Sequence, residues 1–271
     1  MADDLRVRII KLADRLQNMR TQHHVPKVEK RVAKSRETLD IFVPLAERIG
    51  LYAVKTELED WCFKYLNEKA YDEIKAQLES FMKHNSTVDK VMKLLREEIK
   101  KAGIDAQVEG RVKTVYSIHN KMVKKNLGFD EISDIIAYRV LVKSKADCYH
   151  VLGMMHDIFK AVPGRFKDYI SSPKPNGYQS LHTSVIGPMG DRMEVQIRTF
   201  EMHDVAENGV AAHFQYKRVD GSKARADKKE GDQYKWLKQL VEQLQETADP
   251  EDFFNQAKLA LFSDSVFVFT P

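Results

Sequence analysis

The apolar pattern of this chain is purely helical up to Gly103 and mixed beyond it, and that change constrains the fold more than any other feature. Before it, apolar residues recur at helical spacing, starting with Leu5, Ile9, Leu12, Leu16 and Met19. Further helices are predicted over residues 27–50, 56–66, 71–84 and 87–102. Gly50 and Gly103 suit helix C-caps, and Asn85-Ser86-Thr87 suits an N-cap cluster. Past Gly103 short alternations take over. Ile104 to Glu109 reads as a strand that Gly110 should break, and Ile132 to Val142 as a central strand opened by Asp134. Ser180–Ile186 and Arg192–Ile197 flank Gly187-Pro-Met-Gly190-Asp191, which is a hairpin signature. Helices over 114–125, 145–161 and 199–216 separate these runs. A helical half followed by an α+β half is the expected architecture.

Composition narrows the partners. At 271 residues one large or two ordinary domains are expected. A net charge of +4 favours small anionic ligands over duplex DNA. Cys62 and Cys148 have no CxxC spacing, which argues against disulfide or metal roles and fits a reducing cytoplasm. No apolar run approaches the ~18 residues of a membrane span, and the acidic start is no signal peptide. A cytoplasmic protein with no membrane or DNA partner is predicted.

The chemistry concentrates between Arg165 and Arg198, where cations, an aromatic and a carboxylate sit among turn residues. That mixture suits a polyanion carrying a flat ring, as a nucleotide does. Upstream, Arg111, Lys113, Ser117 and Lys121 fall at a strand end and along one face of the next helix. Free N–H groups at a helix start favour phosphate, so these residues read either as a triphosphate cradle or as a solvated basic face. GxxxxGK[ST] is absent, so this is no P-loop. Asp134 in an apolar strand is costly unless paired. It reads as half of an Asp134–Arg139 pair or as a strand-borne Mg²⁺ ligand. Glu194, Gln196 and Arg198 alternate with Met193, Val195 and Ile197 and so share a face. Glu194 can converge with Asp134 if their strands are neighbours, and two such carboxylates can clamp Mg²⁺ and a hydroxyl nucleophile. Trp61, Phe63, Tyr65 and Phe81 read as core, and His203, Glu207 and His213 lack a zinc-site spacing. Asp14 and Asn18 share a helix face, but one carboxylate builds no metal site. Residues 217–235 read as a charged linker, followed by helices near 236–244 and 252–261. Ser263 to Pro271 reads as a strand without a partner, as if the chain were cut inside a longer protein.

GRVKTVYSIHNKM (110–122), DIIAYRV (134–140), GRFKDYISSPKPNGYQSLHT (164–183) and EVQIRTFEMHDVAENGVAAHFQYK (194–217) together resemble RelA/SpoT-type (p)ppGpp synthetase/hydrolases. The resemblance covers essentially the whole chain. It implies a nucleotidyltransferase-like mixed β-sheet flanked by helices and preceded by a helical remnant of an HD-type hydrolase domain. The implied segments are an HD remnant over 1–50, a helical connector over 51–103 and the synthetase domain over 104–217. A linker with helices over 218–262 and the start of a TGS domain over 263–271 complete the set.

The implied reaction moves pyrophosphate from ATP to the 3′-hydroxyl of GDP or GTP in the stringent response. Asp134 and Glu194 are then catalytic and hold Mg²⁺. Arg111, Lys113, Ser117 and Lys121 meet ATP phosphates, and Arg111 and Arg139 flank adenine. Tyr178 stacks on guanine, with Lys174, Asn176, His182 and Gln196 lining the acceptor site. Arg165, Lys167 and Asp168 resemble the basic loop motif of bifunctional members. Asp14 and Asn18 correspond to hydrolase residues, one of them a Mn²⁺ ligand, while Gln17 replaces a usual histidine and Phe214 a common tryptophan. An incomplete Mn²⁺ site without hydrolase activity is expected. Full-length members associate with ribosome and tRNA through C-terminal domains. Two other readings stand: a catalytically silent guanine-nucleotide-binding or regulatory fragment, and an RNA-directed nucleotidyltransferase, which the low charge disfavours.

Overall fold

A computed structural model describes residues 5–84, 87–132, 134–188 and 190–209. The helical half runs as α1 (Leu5–Arg20), α2 (Val28–Glu37), α3 (Val43–Arg48), α4 (Tyr52–Leu66), α5 (Glu68–His84) and α6 (Thr87–Lys101). The expected continuous helix over 27–50 is interrupted by a π turn, Thr38–Phe42. Pro44 stands at the start of α3 and has no N–H to donate, so the regular ladder cannot pass through it. Leu12, Leu16, Met19, Val43, Ala46 and Leu58 close a core of their own around α4.

The second half adds β1 (Ala106–Val112), α7 (Val115–Lys125), β2 (Ile136–Val142), α8 (Lys145–Ile158), β3 (Lys167–Asp168), β4 (Leu181–Ile186), β5 (Arg192–Thr199) and α9 (Phe200–Asn208). The sheet order is β1-β2-β5-β4-β3. β2 and β5 are parallel, and the other pairs are antiparallel. The α+β class expected from the sequence is therefore observed, as a mixed sheet flanked by helices. β2 is buried at all seven positions, which explains why it reads as an apolar run interrupted only by Arg139. Valines and leucines at 88, 91 and 95, with Ile99, give α6 its apolar stripe, which packs on β1. Burying each such side chain contributes about 1.5–3 kcal/mol.

Gly110 does not end β1, contrary to expectation. It pairs with Tyr138 inside the strand, and a β-carbon there would come within 3.4 Å of Val88 and Met92 on α6. Such a β-carbon would sit in van der Waals contact with the helix. Asp134 lies in the turn before β2, not within the strand. Lys167–Asp168, among the turn residues that follow α8, form the two-residue β3. At the end of α9, Gly209 has φ +52°, and a β-carbon would lie 2.4 Å from the Ile49 carbonyl oxygen, so the α9 end packs directly on the turn after α3. The chain from 210 onward, with the expected linker, helices and terminal strand, lies outside the described residues. Among the described residues no helix is long and apolar enough to cross a membrane.

Candidate functional site

The register brings most of the expected residues to one face of the sheet. One row across the strands reads Arg111, Ala137, Glu194, Ser184, and the next reads Glu109, Arg139, Gln196, His182. Beyond the strand ends, the Lys113 N–H donates to the Ile135 carbonyl at 2.9 Å. That bond continues the β1–β2 pairing past the strand ends and sets Lys113 against Asp134.

Asp134 and Glu194 then meet at a cation. Lys113 Nζ is 2.7 Å from Asp134 Oδ2 and 3.1 Å from Glu194 Oε2, and Lys121 Nζ pairs with Asp134 Oδ1. The alternative Asp134–Arg139 pair does not form, because Arg139 reaches Glu109 at 3.7 Å and Glu207 at 3.2 Å instead. Burial disfavours the Asp134 carboxylate, but the two ammoniums outweigh it and hold the group at about 2. Glu194 is also below its ordinary range: burial opposes this, while Lys113 and the 3.0 Å hydrogen bond from Gln196 Nε2 prevail. Both groups are anions at neutral pH. Since Asp134 titrates lower folded than unfolded, its pairing contributes stability above about pH 4 and loses it as pH falls toward 2.

The start of α7 already has partners of its own. Thr114 caps α7 by accepting from Ser117 N–H at 3.3 Å, and its hydroxyl meets the Ser117 hydroxyl at 2.9 Å. The Tyr116 N–H donates to Asp60 Oδ1 at 2.8 Å. A carboxylate from α4 therefore already occupies part of the helix start. Arg111, Lys113 and Lys121 bring three cationic side chains to the same region, beside the Ser117 hydroxyl.

On the other side, Tyr178 is half-buried. Its hydroxyl lies 2.8 Å from His182 Nε2, and Lys174 Nζ sits 5.4 Å from its ring centre. Burial pushes His182 down to about 4, so the imidazole is neutral and can accept the phenolic proton. Asn176 Oδ1 accepts the Tyr178 N–H at 3.2 Å, while its Nδ2 donates to the Glu47 carbonyl at 3.1 Å. Asn176 thus shapes the loop and ties it to the helical half. Asp168 accepts from the Ile170 and Ser171 N–H groups at 2.9 Å and from the Tyr149 hydroxyl at 3.0 Å, so it holds its own turn. Arg165 and Lys167 are exposed on the same loop. Asp14 and Asn18, joined by a 3.1 Å hydrogen bond, lie on α1, outside the sheet face.

Sequence reasoning missed Tyr52, whose ring lies 5.6 Å from that of Tyr178, and the group Arg198, His203 and Glu207. Arg198 fell on the polar face of β5 as expected, but it is 1% exposed. Its burial depends on α9 and Tyr178, which local pattern does not encode. Its place in the Glu194–Arg198 run was the available signal.

Comparison with known proteins matches residues 110–221 to a region found in RelA/SpoT proteins and residues 1–52 to an HD domain. A GTP pyrophosphokinase of Myxococcus xanthus is 46% identical over 100% of this chain and 35% of its own length. A probable guanosine-3′,5′-bis(diphosphate) 3′-pyrophosphohydrolase of Synechocystis sp. is 45% identical over 100% of this chain and 36% of its own. The chain thus spans about a third of the length of the curated relatives it matches. The small alarmone synthetase 1 from Bacillus subtilis, solved bound to its product pppGpp, aligns at 24% identity and a TM-score of 0.42, over 64% of this chain and 96% of that one.

Proposed function

We propose, from the premise that this chain belongs to the RelA/SpoT family, that it transfers pyrophosphate from ATP to the 3′-hydroxyl of GDP or GTP. The observation that carries the proposal is the pair of ionised carboxylates, Asp134 and Glu194, held by the Lys113 ammonium on the sheet face that also carries Arg139, Gln196 and His182. Hard carboxylate oxygens already gathered around a cation suit Mg²⁺, which binds through one or two carboxylates plus substrate phosphates. Asp134 and Glu194 would hold that ion, and it would supply charge neutralisation on the triphosphate when bound.

The chain's own groups divide the remaining work. Arg111, Lys113 and Lys121 bind and orient the donor phosphates, and Arg139 lies one strand row from them on the donor side. Tyr178 and Lys174 hold the guanine nucleotide, with Gln196 and neutral His182 beside them. Glu194 takes the proton of the 3′-hydroxyl as its oxygen bonds the β-phosphorus of ATP. The bond from that phosphorus to the α,β-bridging oxygen breaks, and AMP leaves with the oxygen. Two polyanions must be aligned for this in-line attack, which is the task of the cations. A substrate pair of ATP and GTP fits a cytoplasmic enzyme.

Thin-layer separation of products from ATP labelled in its β- and γ-phosphates, with GDP or GTP, tests the reading. A labelled guanosine product and equimolar AMP are expected. Labelled ATP that stays intact with both acceptors would refute it. Tyr178→Ala should raise KM for the acceptor by the equivalent of about 1–3 kcal/mol, the usual value of one base–aromatic stack, while KM for ATP stays near wild type. Equal acceptor KM values in the two proteins would remove Tyr178 from the guanine site.

A further inference from the structure

Glu207, on α9, faces two buried guanidiniums at once. Its Oε1 accepts from Arg198 Nη2 at 3.2 Å and lies 3.2 Å from Arg139 Nη2. Arg139 is 6% exposed and Arg198 1%, and they rise from the neighbouring strands β2 and β5. Two like charges this deep repel one another, and each is costly to bury without a counter-ion. Glu109 reaches Arg139 only at 3.7 Å, so Glu207 is the carboxylate common to both. Arg198 is held from a second side by His203, whose Nδ1 lies 2.7 Å from Nη2. A guanidinium only donates, so that nitrogen is the acceptor and His203 is neutral with its proton on Nε2. Thus fixed, Arg198 sets its Cζ 5.9 Å from the Tyr178 ring centre, within reach of a cation–π attraction.

We infer that Glu207 is a positioning residue for both nucleotides, acting through Arg139 on the donor side and through Arg198 and Tyr178 on the acceptor side. The inference rests on the synthetase reading above for the identity of the two ligands. A packing role fits poorly: the Glu207 side chain is 29% exposed, so trimming its charge opens no cavity in the core. What the charge does is keep two mutually repelling cations side by side, each aimed at a different nucleotide. One carboxylate thereby couples the two halves of the site.

Steady-state kinetics with melting curves on Glu207→Gln test it. Glutamine keeps the shape and an acceptor oxygen but loses the charge. KM should rise about tenfold for ATP and for GDP alike, the difference between a charged and a neutral hydrogen bond, with a smaller change in kcat. The melting temperature should fall as well, since two buried guanidiniums lose their shared counter-ion, so the nucleotide pattern carries the test. In a Tyr178→Ala background the same substitution should still raise KM for ATP but no longer that for GDP. A rise confined to one nucleotide in the wild-type background, or a GDP effect that survives loss of the Tyr178 ring, would overturn the inference while leaving the synthetase reading in place. Should the wild-type chain yield no product, the synthetase reading falls. Calorimetry with GDP and a non-hydrolysable ATP analogue then still decides the inference by the same pattern of affinities. Should Glu207→Gln not fold, His203→Ala takes its place. It should raise KM for GDP and spare that for ATP, and an equal effect on both, or on neither, counts against the coupling.

Discussion

A Glu194→Gln enzyme should make labelled guanosine product about three orders of magnitude more slowly than wild type, within the range lost with a general base, while still binding ATP and GDP. Glutamine preserves the volume and can still accept from Lys113, which now lies 3.1 Å away. It cannot take a proton from the 3′-hydroxyl, and it presents a dipole where a charge stood. The wild-type carboxylate is held below its ordinary range, against the effect of burial, by Lys113 and Gln196. It is therefore ready as an anion throughout the neutral range, and activity attributable to it should fade only as pH falls below the usual glutamate range. The sign follows from the lowered value: protonation, and with it loss of the base, begins at lower pH than in a free glutamate. Thin-layer assays with both acceptors, alongside equilibrium binding, separate the two effects. Normal product formation by Glu194→Gln would remove Glu194 from the chemistry.

Much of this was legible in the chain because the relevant signals are local. Alternation along Arg192–Ile197 put Glu194 and Gln196 on one face, and the sheet keeps them there. The apolar run after Asp134 marked β2, and Thr114 marked the start of α7. The misreadings share a physical origin in contacts between segments distant in sequence. Gly110 breaks nothing because pairing with Tyr138 on the neighbouring strand holds it inside β1. The α7 start is partly occupied because Asp60, from α4, accepts there. The depth of Arg198 was not legible, because nothing in its neighbourhood announces that α9 folds over it. The α9 segment also shows how one residue type serves two ends: Glu207 was set aside for lacking zinc spacing, yet its value lies in what two strands bring to it.

Lys113→Met should lower the rate by about two orders of magnitude or more, the range seen when one preorganised charge is taken from a site where charge develops. Lys113 lies between Asp134 and Glu194, and its ammonium stays charged because those two carboxylates outweigh the effect of burial. Methionine keeps the apolar stem and removes the counter-ion. Asp134 is left with Lys121, and Glu194 with the Gln196 amide. Two consequences then run in opposite directions. Triphosphate binding weakens, so KM for ATP rises. The more negative carboxylate pair attracts a divalent cation more strongly, so the magnesium concentration for half-maximal rate falls. A generally damaged protein would not split these two quantities in that way. Stability measured with chelator present adds a third readout. With one ammonium gone, burial drives the Asp134 carboxyl upward from about 2. Acid unfolding of Lys113→Met should therefore begin at higher pH than in wild type. Lys113→Arg keeps the charge but spreads it over a planar fork, so it should restore the acid stability more fully than the rate. A Lys113→Met enzyme with wild-type KM for ATP and unchanged magnesium dependence would show that this ammonium serves only to fasten the strand ends together.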